Sequence, residues 1–280
     1  MAGTLYVVGT PIGNLSDFSP RAIQTLQEVD FIAAEDTRVT QKLLSYFQIK
    51  KPMISYYQHN LRERGEEILA RIESGGNCAI VTDAGMPCIS DPGEDLVSLC
   101  AERNIRTIVI PGPSAAISAL AVSGLSTARF CFEGFLSTNH KNRMEHLHQI
   151  AGDRRTLIFY EAPHKLVYTL QDMLQVLGDR RIALCRELTK LHEEIIRTTF
   201  SGALALYREK SPRGEYVLII EGAPEPEKTS LTLEDAAAQV KKLRESGLSV
   251  SDAAKQVAKE TGYKKGDLYR LALEGDGAPS

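Results

Sequence analysis

The sequence predicts an α/β protein: two successive α/β domains followed by a small all-helical segment. Three observations carry this. Over about the first 120 residues short apolar runs alternate with helical stretches; a second block alternates likewise but gathers its strands at the end; beyond a Pro/Glu-rich linker only helical patterning remains.

In the first block Leu5-Tyr6-Val7-Val8, Phe31-Ile32-Ala33-Ala34, Ala79-Ile80-Val81 and Ile105–Ile110 read as strands buried on both faces. Helices over Arg21–Val29 and Leu61–Glu73 lie between them, the second with Ile68, Leu69 and Ile72 on one side. This rhythm predicts a mostly parallel sheet over residues 1–117. In the second block, residues 118–222, strands are expected at Phe130–Phe132, Thr156–Tyr160, Ile182–Cys185, Ile195–Phe200 and Tyr216–Ile220. Helices are expected near Asn142–Ile150 and Lys165–Leu177, and the late clustering of strands predicts a mixed sheet. Gly222–Glu227 reads as a linker. In the tail, residues 229–280, Thr232 and Asp235 open one helix that stops at Gly247, and Ser251 caps a second, Ala253–Glu260, that stops at Gly262. A third runs from Gly266 to Leu273, a helix-turn-helix layout that also suits a dimerisation or docking segment.

Composition narrows the function classes. At 43% hydrophobic and 25% charged the chain is of globular type, which excludes a disordered one. The net charge of −3, from 33 Lys+Arg against 36 Asp+Glu, argues against a protein that coats nucleic acid through bulk charge. Five scattered cysteines without a C-x-x-C are expected to be reduced thiols of a cytoplasmic protein. No basic leader precedes the first strand, and no apolar run approaches bilayer length. His140, His146 and His148, near Cys131, match no common zinc spacing, so no metal is expected.

Four Gly/Pro loops interrupt the first block: Gly9-Thr10-Pro11-Ile12-Gly13-Asn14-Leu15, Thr82-Asp83-Ala84-Gly85-Met86-Pro87, Asp91-Pro92-Gly93 and Pro111-Gly112-Pro113-Ser114-Ala115. Such loops beyond the carboxyl ends of parallel strands form a ligand crevice, and small residues let a ligand approach the backbone. A dinucleotide fingerprint is excluded, because Pro11 occupies the place of the central glycine and lacks the N–H that a pyrophosphate needs.

Together with Ala34-Glu35-Asp36-Thr37-Arg38, Leu157–His164, Arg186-Glu187-Leu188-Thr189-Lys190 and Gly214–Leu218, these loops resemble the tetrapyrrole-methylase-fold family. Within it they resemble the branch that methylates the ribose 2′-hydroxyl of a decoding-site cytidine in 16S ribosomal RNA. The likeness extends over nearly the whole chain. Thr82 and Met86 depart from it where Ser and Thr are usual, and Arg213 where Lys is. The resemblance implies two α/β domains of tetrapyrrole-methylase type with S-adenosylmethionine between them, usually in a homodimer. Pro11 and Ile12 would border the cofactor; Asp83, Ala84, Gly85 and Met86 with Ser114 and Ala115 would hold it; Tyr160 and Tyr216 would close the cleft from the second lobe.

A ribose hydroxyl is a weak nucleophile, so a positioned base is sought. Glu161, Lys190 and Asp36 are the candidates, with His164 behind them. Each has a structural alternative: Glu161 paired with Arg186 or Lys190, Asp36 paired with Arg38, and His164 or Ser114 capping the helix that follows it. Phe135, Tyr56 and Tyr57 are candidates for stacking on a base. Expected RNA contacts are Arg38 and, in a tail window with a local excess of cations, Lys255, Lys264, Lys265 and Arg270, with basic spots at Lys141/Arg143, Arg154/Arg155 and Arg180/Arg181. Two other functions stay open: a methylase of tetrapyrrole or corrin precursors, which would not need the tail, and a non-catalytic S-adenosylmethionine sensor that binds RNA.

Overall fold

The structure, a computed structural model, describes residues 2–225 and 231–274. The far end of the expected linker, positions 229–230 of the expected tail and its last six residues lie outside them. The chain divides into two compact units, Met1–Ala223 and Pro224–Ser280.

The first unit begins with β1 (Thr4–Val8), α1 (Pro20–Glu28), β2 (Phe31–Ala34), α2 (Thr37–Tyr46), β3 (Met53–Ser55), α3 (Leu61–Glu73), β4 (Cys78–Val81), α4 (Glu94–Glu102) and β5 (Arg106–Ile110). Its five strands lie in the order β3-β2-β4-β1-β5, and every pairing is parallel. The apolar runs lack alternation because both faces are covered. Leu5, Val7, Phe31, Ala33, Cys78 and Ile80 meet α3 and α4, whereas Val8, Ile32, Ala34, Ala79 and Val81 meet α1 and α2. Strand β3 escapes the sequence reading because three residues are too few to show a period.

The second block comprises α5 (Ala115–Ser123), β6 (Phe130–Phe135), α6 (His140–Ile150), β7 (Thr156–Glu161), α7 (Leu166–Leu177), β8 (Arg181–Arg186), β9 (Glu194–Thr199), α8 (Phe200–Glu209) and β10 (Tyr216–Ile220). Its sheet is mixed, in the order β6-β7-β10-β8-β9, with only β6–β7 parallel. Two elements differ from expectation. Phe200 does not end a strand; it opens α8, capped by the Thr199 hydroxyl, which accepts from the Gly202 N–H. A division at residue 117 falls inside α5, whose Ala116, Ala119 and Leu120 pack on Ile158, Ala183, Val217 and Ile219 of the second sheet. The Arg197 guanidinium donates to the Val122 and Ser123 carbonyls and satisfies the end of that helix.

The tail holds α9 (Leu233–Glu245), α10 (Val250–Thr261) and α11 (Lys265–Glu274) around a core of Ala236, Val240, Ala253, Ala254, Val257, Leu268 and Ala272. Thr232 and Asp235 form a reciprocal capping box on α9. The cap of α10 is Ser249, two residues before the expected Ser251, and Gly262 ends it at φ 79°.

Candidate active site

All the glycine-rich loops of the first sheet lie beyond the carboxyl ends of its strands, and three of them are tied into one floor. Thr10 and Gly85 exchange backbone hydrogen bonds of 2.8 and 3.2 Å, and the Thr10 hydroxyl donates to the Thr82 carbonyl at 3.1 Å. The backbones after β1 and β5 touch: a Cβ on Gly9 would stand 2.7 Å from the Gly112 Cα. Gly85 sits at φ +94°, open to glycine and strained for other residues.

Above this floor lies a cleft of about 580 Å³, walled on the other side by the ends of β7 and β8 and the start of β10. Ile12, Asp83, Ala84, Gly85, Met86, Ser114 and Ala115 line it, and so do Tyr160 and Tyr216. Pro11 is buried and outside the lining. Ser114 holds the N-cap position of α5, but its hydroxyl makes no capping bond. The lining contribution of Tyr216 is not its ring: that side chain belongs to the core on the α7/α8 face, where its hydroxyl accepts from Tyr207 at 3.1 Å, and Val217 faces the cleft side. Period-two alternation along β10 is the signal that separates the two.

The candidate bases fare differently. Asp36 is outside the lining; it caps α2 by accepting from the Arg38 N–H at 2.8 Å, and the Arg38 guanidinium grips both its oxygens and holds it down to about 2. This pair also occupies Arg38, the expected RNA contact. Lys190 lines the cleft, yet its ammonium lies 3.0 Å from Glu187 Oε1 and 2.8 Å from Glu215 Oε2. Burial pulls its pKa down, but those carboxylates outweigh the pull and raise it, so it is a donor and not a base. Glu161 is 3% exposed, and both oxygens are engaged: Oε1 accepts from the Ala162 N–H at 2.8 Å and Oε2 from the Thr169 hydroxyl at 2.7 Å, with Lys165 Nζ 3.5 Å away. Neither Arg186 nor Lys190 pairs with it. His164 lines the cleft and caps nothing, the N-cap of α7 being Lys165.

Three carboxylates meet in the cleft, and for two of them, Glu35 and Asp91, sequence reasoning assigned no role. Glu35, next to Asp36, accepts from the Thr82 hydroxyl; Asp83 accepts from the Asp36 N–H at 3.2 Å; Asp91 stands at the end of the loop. Burial, and then the negative charge of Glu35, raise Asp83 and push Asp91 up to about 6. Backbone strain borders the same walls: among the described residues, Ser90 and Glu187 of the lining and the nearby Cys88 and Thr189 are non-glycine residues at positive φ.

Among the aromatic candidates, Tyr56 is buried and donates to Asp95, and Tyr57 is exposed away from the lining. Phe135 lines the cleft with its ring 55% exposed, beside Tyr160 at 5.4 Å and with Lys165 Nζ 5.7 Å from its centroid.

Four arginines of the basic spots are engaged within the second lobe. Arg143 is buried against Asp172 at 2.7 Å, Arg155 pairs with Asp153, Arg180 donates to the Leu177 and Ala151 carbonyls, and Arg181 pairs with Glu221. In the tail Lys265 donates to Ser251 at 2.9 Å, and Arg270 lies 3.8 and 3.7 Å from Asp267 and Glu274. Lys255 and Lys264 are exposed without an ion-pair partner among the described residues. His146 sits 2.8 Å from Glu133 and His140 3.5 Å from Asp172; among the described residues no group of three side chains could hold a metal, and no helix is long and apolar enough to cross a membrane.

Residues 4–203 match the family model of tetrapyrrole (corrin/porphyrin) methylases. This chain is a member of the tetrapyrrole methylase family. Residues 232–276 match a second model, the RsmI C-terminal HTH domain. The methylase is 50% identical over 273 residues to the ribosomal RNA small subunit methyltransferase I of Synechocystis sp., covering 97% of this chain and 98% of that one. A protein of the same name from Thermotoga maritima is 47% identical over 220 residues, 79% of this chain and 99% of its own. Among solved structures, a cobalt precorrin-4 methyltransferase matches the methylase with a TM-score of 0.58 at 18% identity, over 80% of this chain and 96% of that one. Diphthine synthase matches with the same score at 12% identity, over 78% and 89%. At such identities these structures speak for the fold alone, which is the architecture expected from the sequence.

Proposed function

We propose that this tetrapyrrole methylase transfers a methyl group from S-adenosylmethionine to the ribose 2′-hydroxyl of a cytidine in 16S ribosomal RNA, in the cytoplasm and as a homodimer. The observation that carries the reading is near-complete coverage, at 50% identity, of a relative named ribosomal RNA small subunit methyltransferase I, tail included. The tail separates this reading from a corrin-precursor methylase, for which a small macrocycle gives an HTH domain nothing to bind. Dimerisation is supported by α5, which carries no charged residue and exposes Ile117 and Val122, and by Val109 exposed on the edge strand β5.

The cleft suits the cofactor by its own chemistry. Its volume falls in the range for a ligand of that size; Ile12, Met86, Leu188 and Val217 offer apolar walls; Ala84, Gly85 and Ala115 carry side chains small enough to let a ligand approach the backbone. The carboxylates of Glu35, Asp83 and Asp91 complement a ligand that carries an ammonium, a sulfonium and ribose hydroxyls. When bound, the cofactor supplies a methyl group on a cationic sulfur whose charge is lost during transfer. This chain must then align the ribose oxygen, keep water out and accept one proton.

For the proton the candidate is Asp91: it lines the cleft, and burial, then the charge of Glu35, push its pKa up to about 6, near the pH at which a base is both ionised and competent. Because its pKa is raised, the carboxyl is neutral below about 6 and ionised above. The kcat should therefore rise with pH through about 6 and then level. Asp91→Asn should lose that limb and lower kcat by roughly 100-fold or more; a variant that keeps the limb would assign the titration elsewhere.

Glu161 is instead a positioning residue at the corner between β7 and α7. Glu161→Gln leaves one oxygen to accept while its new amide faces donors, so thermal stability should fall by about 1–3 kcal/mol, with kcat and cofactor affinity declining together. A loss confined to kcat would return it to the chemistry.

The function itself is tested by incubating the protein with methyl-labelled S-adenosylmethionine and either small ribosomal subunits or naked 16S RNA. Label on RNA is expected. No label on either substrate, with cofactor bound, would leave a sensor.

A further inference from the structure

We propose that Leu191 is a wedge that enters the base stack vacated by the target nucleotide and so holds that nucleotide in the cleft; this rests on the RNA-methylating function proposed above. Leu191 is 93% exposed, whereas the next most exposed large apolar side chain among the described residues, Tyr46, is at 65%. On a loose loop such exposure would be ordinary. The loop from Glu187 to Glu193 is not loose. Glu193 accepts from the Thr189 N–H at 2.6 Å, the Lys190 N–H donates to the Glu187 carbonyl at 3.0 Å, and the Glu193 N–H donates to the Lys190 carbonyl at 3.1 Å. The Lys190 ammonium is clamped between two carboxylates. Glu187 at φ 50° and Thr189 at φ 66° are held left-handed, costly for a β-branched residue, so the turn that presents Leu191 is imposed by its surroundings.

The position fits the role. Lys190, the residue before the tip, lines the cleft, and Leu191 follows it directly in the chain, outside the lining. A cleft of about 580 Å³ shared with a cofactor admits one ribose only if its nucleotide leaves the stack, and an apolar side chain that fills the gap offsets the lost stacking. Phe135 completes the arrangement. It ends β6 at the same edge of the sheet where β8 ends, three strand positions away in the order β6-β7-β10-β8, or about 14 Å. Its exposed ring in the cleft lining can stack on the extruded base while Leu191 occupies the vacated place.

The test uses the full chain with Leu191→Ala, Leu191→Met and Leu191→Asn, assayed for methyl transfer to small ribosomal subunits or 16S RNA, for cofactor affinity and for self-association. Leu191→Ala and Leu191→Asn should lower kcat/KM for RNA about tenfold, equivalent to about 1.4 kcal/mol, with cofactor affinity and self-association unchanged. Leu191→Met, long and apolar, should restore most of the rate. Wild-type transfer with an unaffected Leu191→Ala variant overturns the wedge alone. Altered self-association in that variant overturns it in favour of a contact with a second copy. A wild-type protein that methylates no RNA overturns the underlying reading and the wedge with it.

Discussion

Gly9→Ala should weaken cofactor binding by about two orders of magnitude while leaving most of the body folded. The added carbon would stand 2.7 Å from the Gly112 Cα and 2.8 Å from its nitrogen, and neither backbone atom can rotate away as a side chain does. The loops after β1 and β5 must separate, and both feed the cleft floor through Thr10, Gly85 and Ser114. Overpacking of this kind costs about 1–3 kcal/mol. Directed into displacement of the floor, the upper end corresponds to binding weakened about 100-fold by calorimetry. Gly152→Ala is the control, since a Cβ there meets nothing within 4 Å. Equal affinities for the two variants would mean that the cofactor does not rest on this floor.

Truncation after Ala223 should separate methyl-donor binding from RNA binding. Every cleft-lining residue lies before that point, and the Ala223 N–H still donates to the Asp153 carbonyl at 2.6 Å, so the cut spares the body. The Thermotoga relative, matched over 99% of its length by 79% of this chain, has the size of such a body. Cofactor affinity should stay within about twofold. The salt dependence of RNA binding should fall by about 0.7–0.9 in slope for each phosphate no longer neutralised, or about 1.4–1.8 for Lys255 and Lys264 together. An unchanged slope would move the RNA contacts to the body and leave the tail as a docking segment. The pairing of Arg143, Arg155 and Arg181 with carboxylates of their own lobe makes the first outcome the expected one.

The first sheet was legible because its strands are buried on both faces and read as unbroken apolar runs; β3 was not, being three residues long. The tail's capping box could be read directly, whereas the second cap could not, since Ser249 and Ser251 both precede an acceptable helix. The cleft-bordering loops were visible as Gly/Pro punctuation. What they hold together was not. Asp36 and Glu35 are neighbours in sequence, yet only Glu35 faces the cleft, because Asp36 turns to cap α2. The raised pKa of Asp91 comes from burial and from a carboxylate supplied by another strand, a juxtaposition that no spacing encodes. The exposure of Leu191 likewise needs the fold, since leucine between lysine and histidine reads as an ordinary loop residue.

The most direct measurement is to label small subunits with the protein and methyl-labelled S-adenosylmethionine, digest the RNA with alkali and separate the products. Alkaline cleavage needs a free 2′-hydroxyl. Transfer to the ribose therefore predicts that the label is recovered in one alkali-resistant dinucleotide whose first residue is cytidine. Label in mononucleotides would place the methyl on a base and contradict the account.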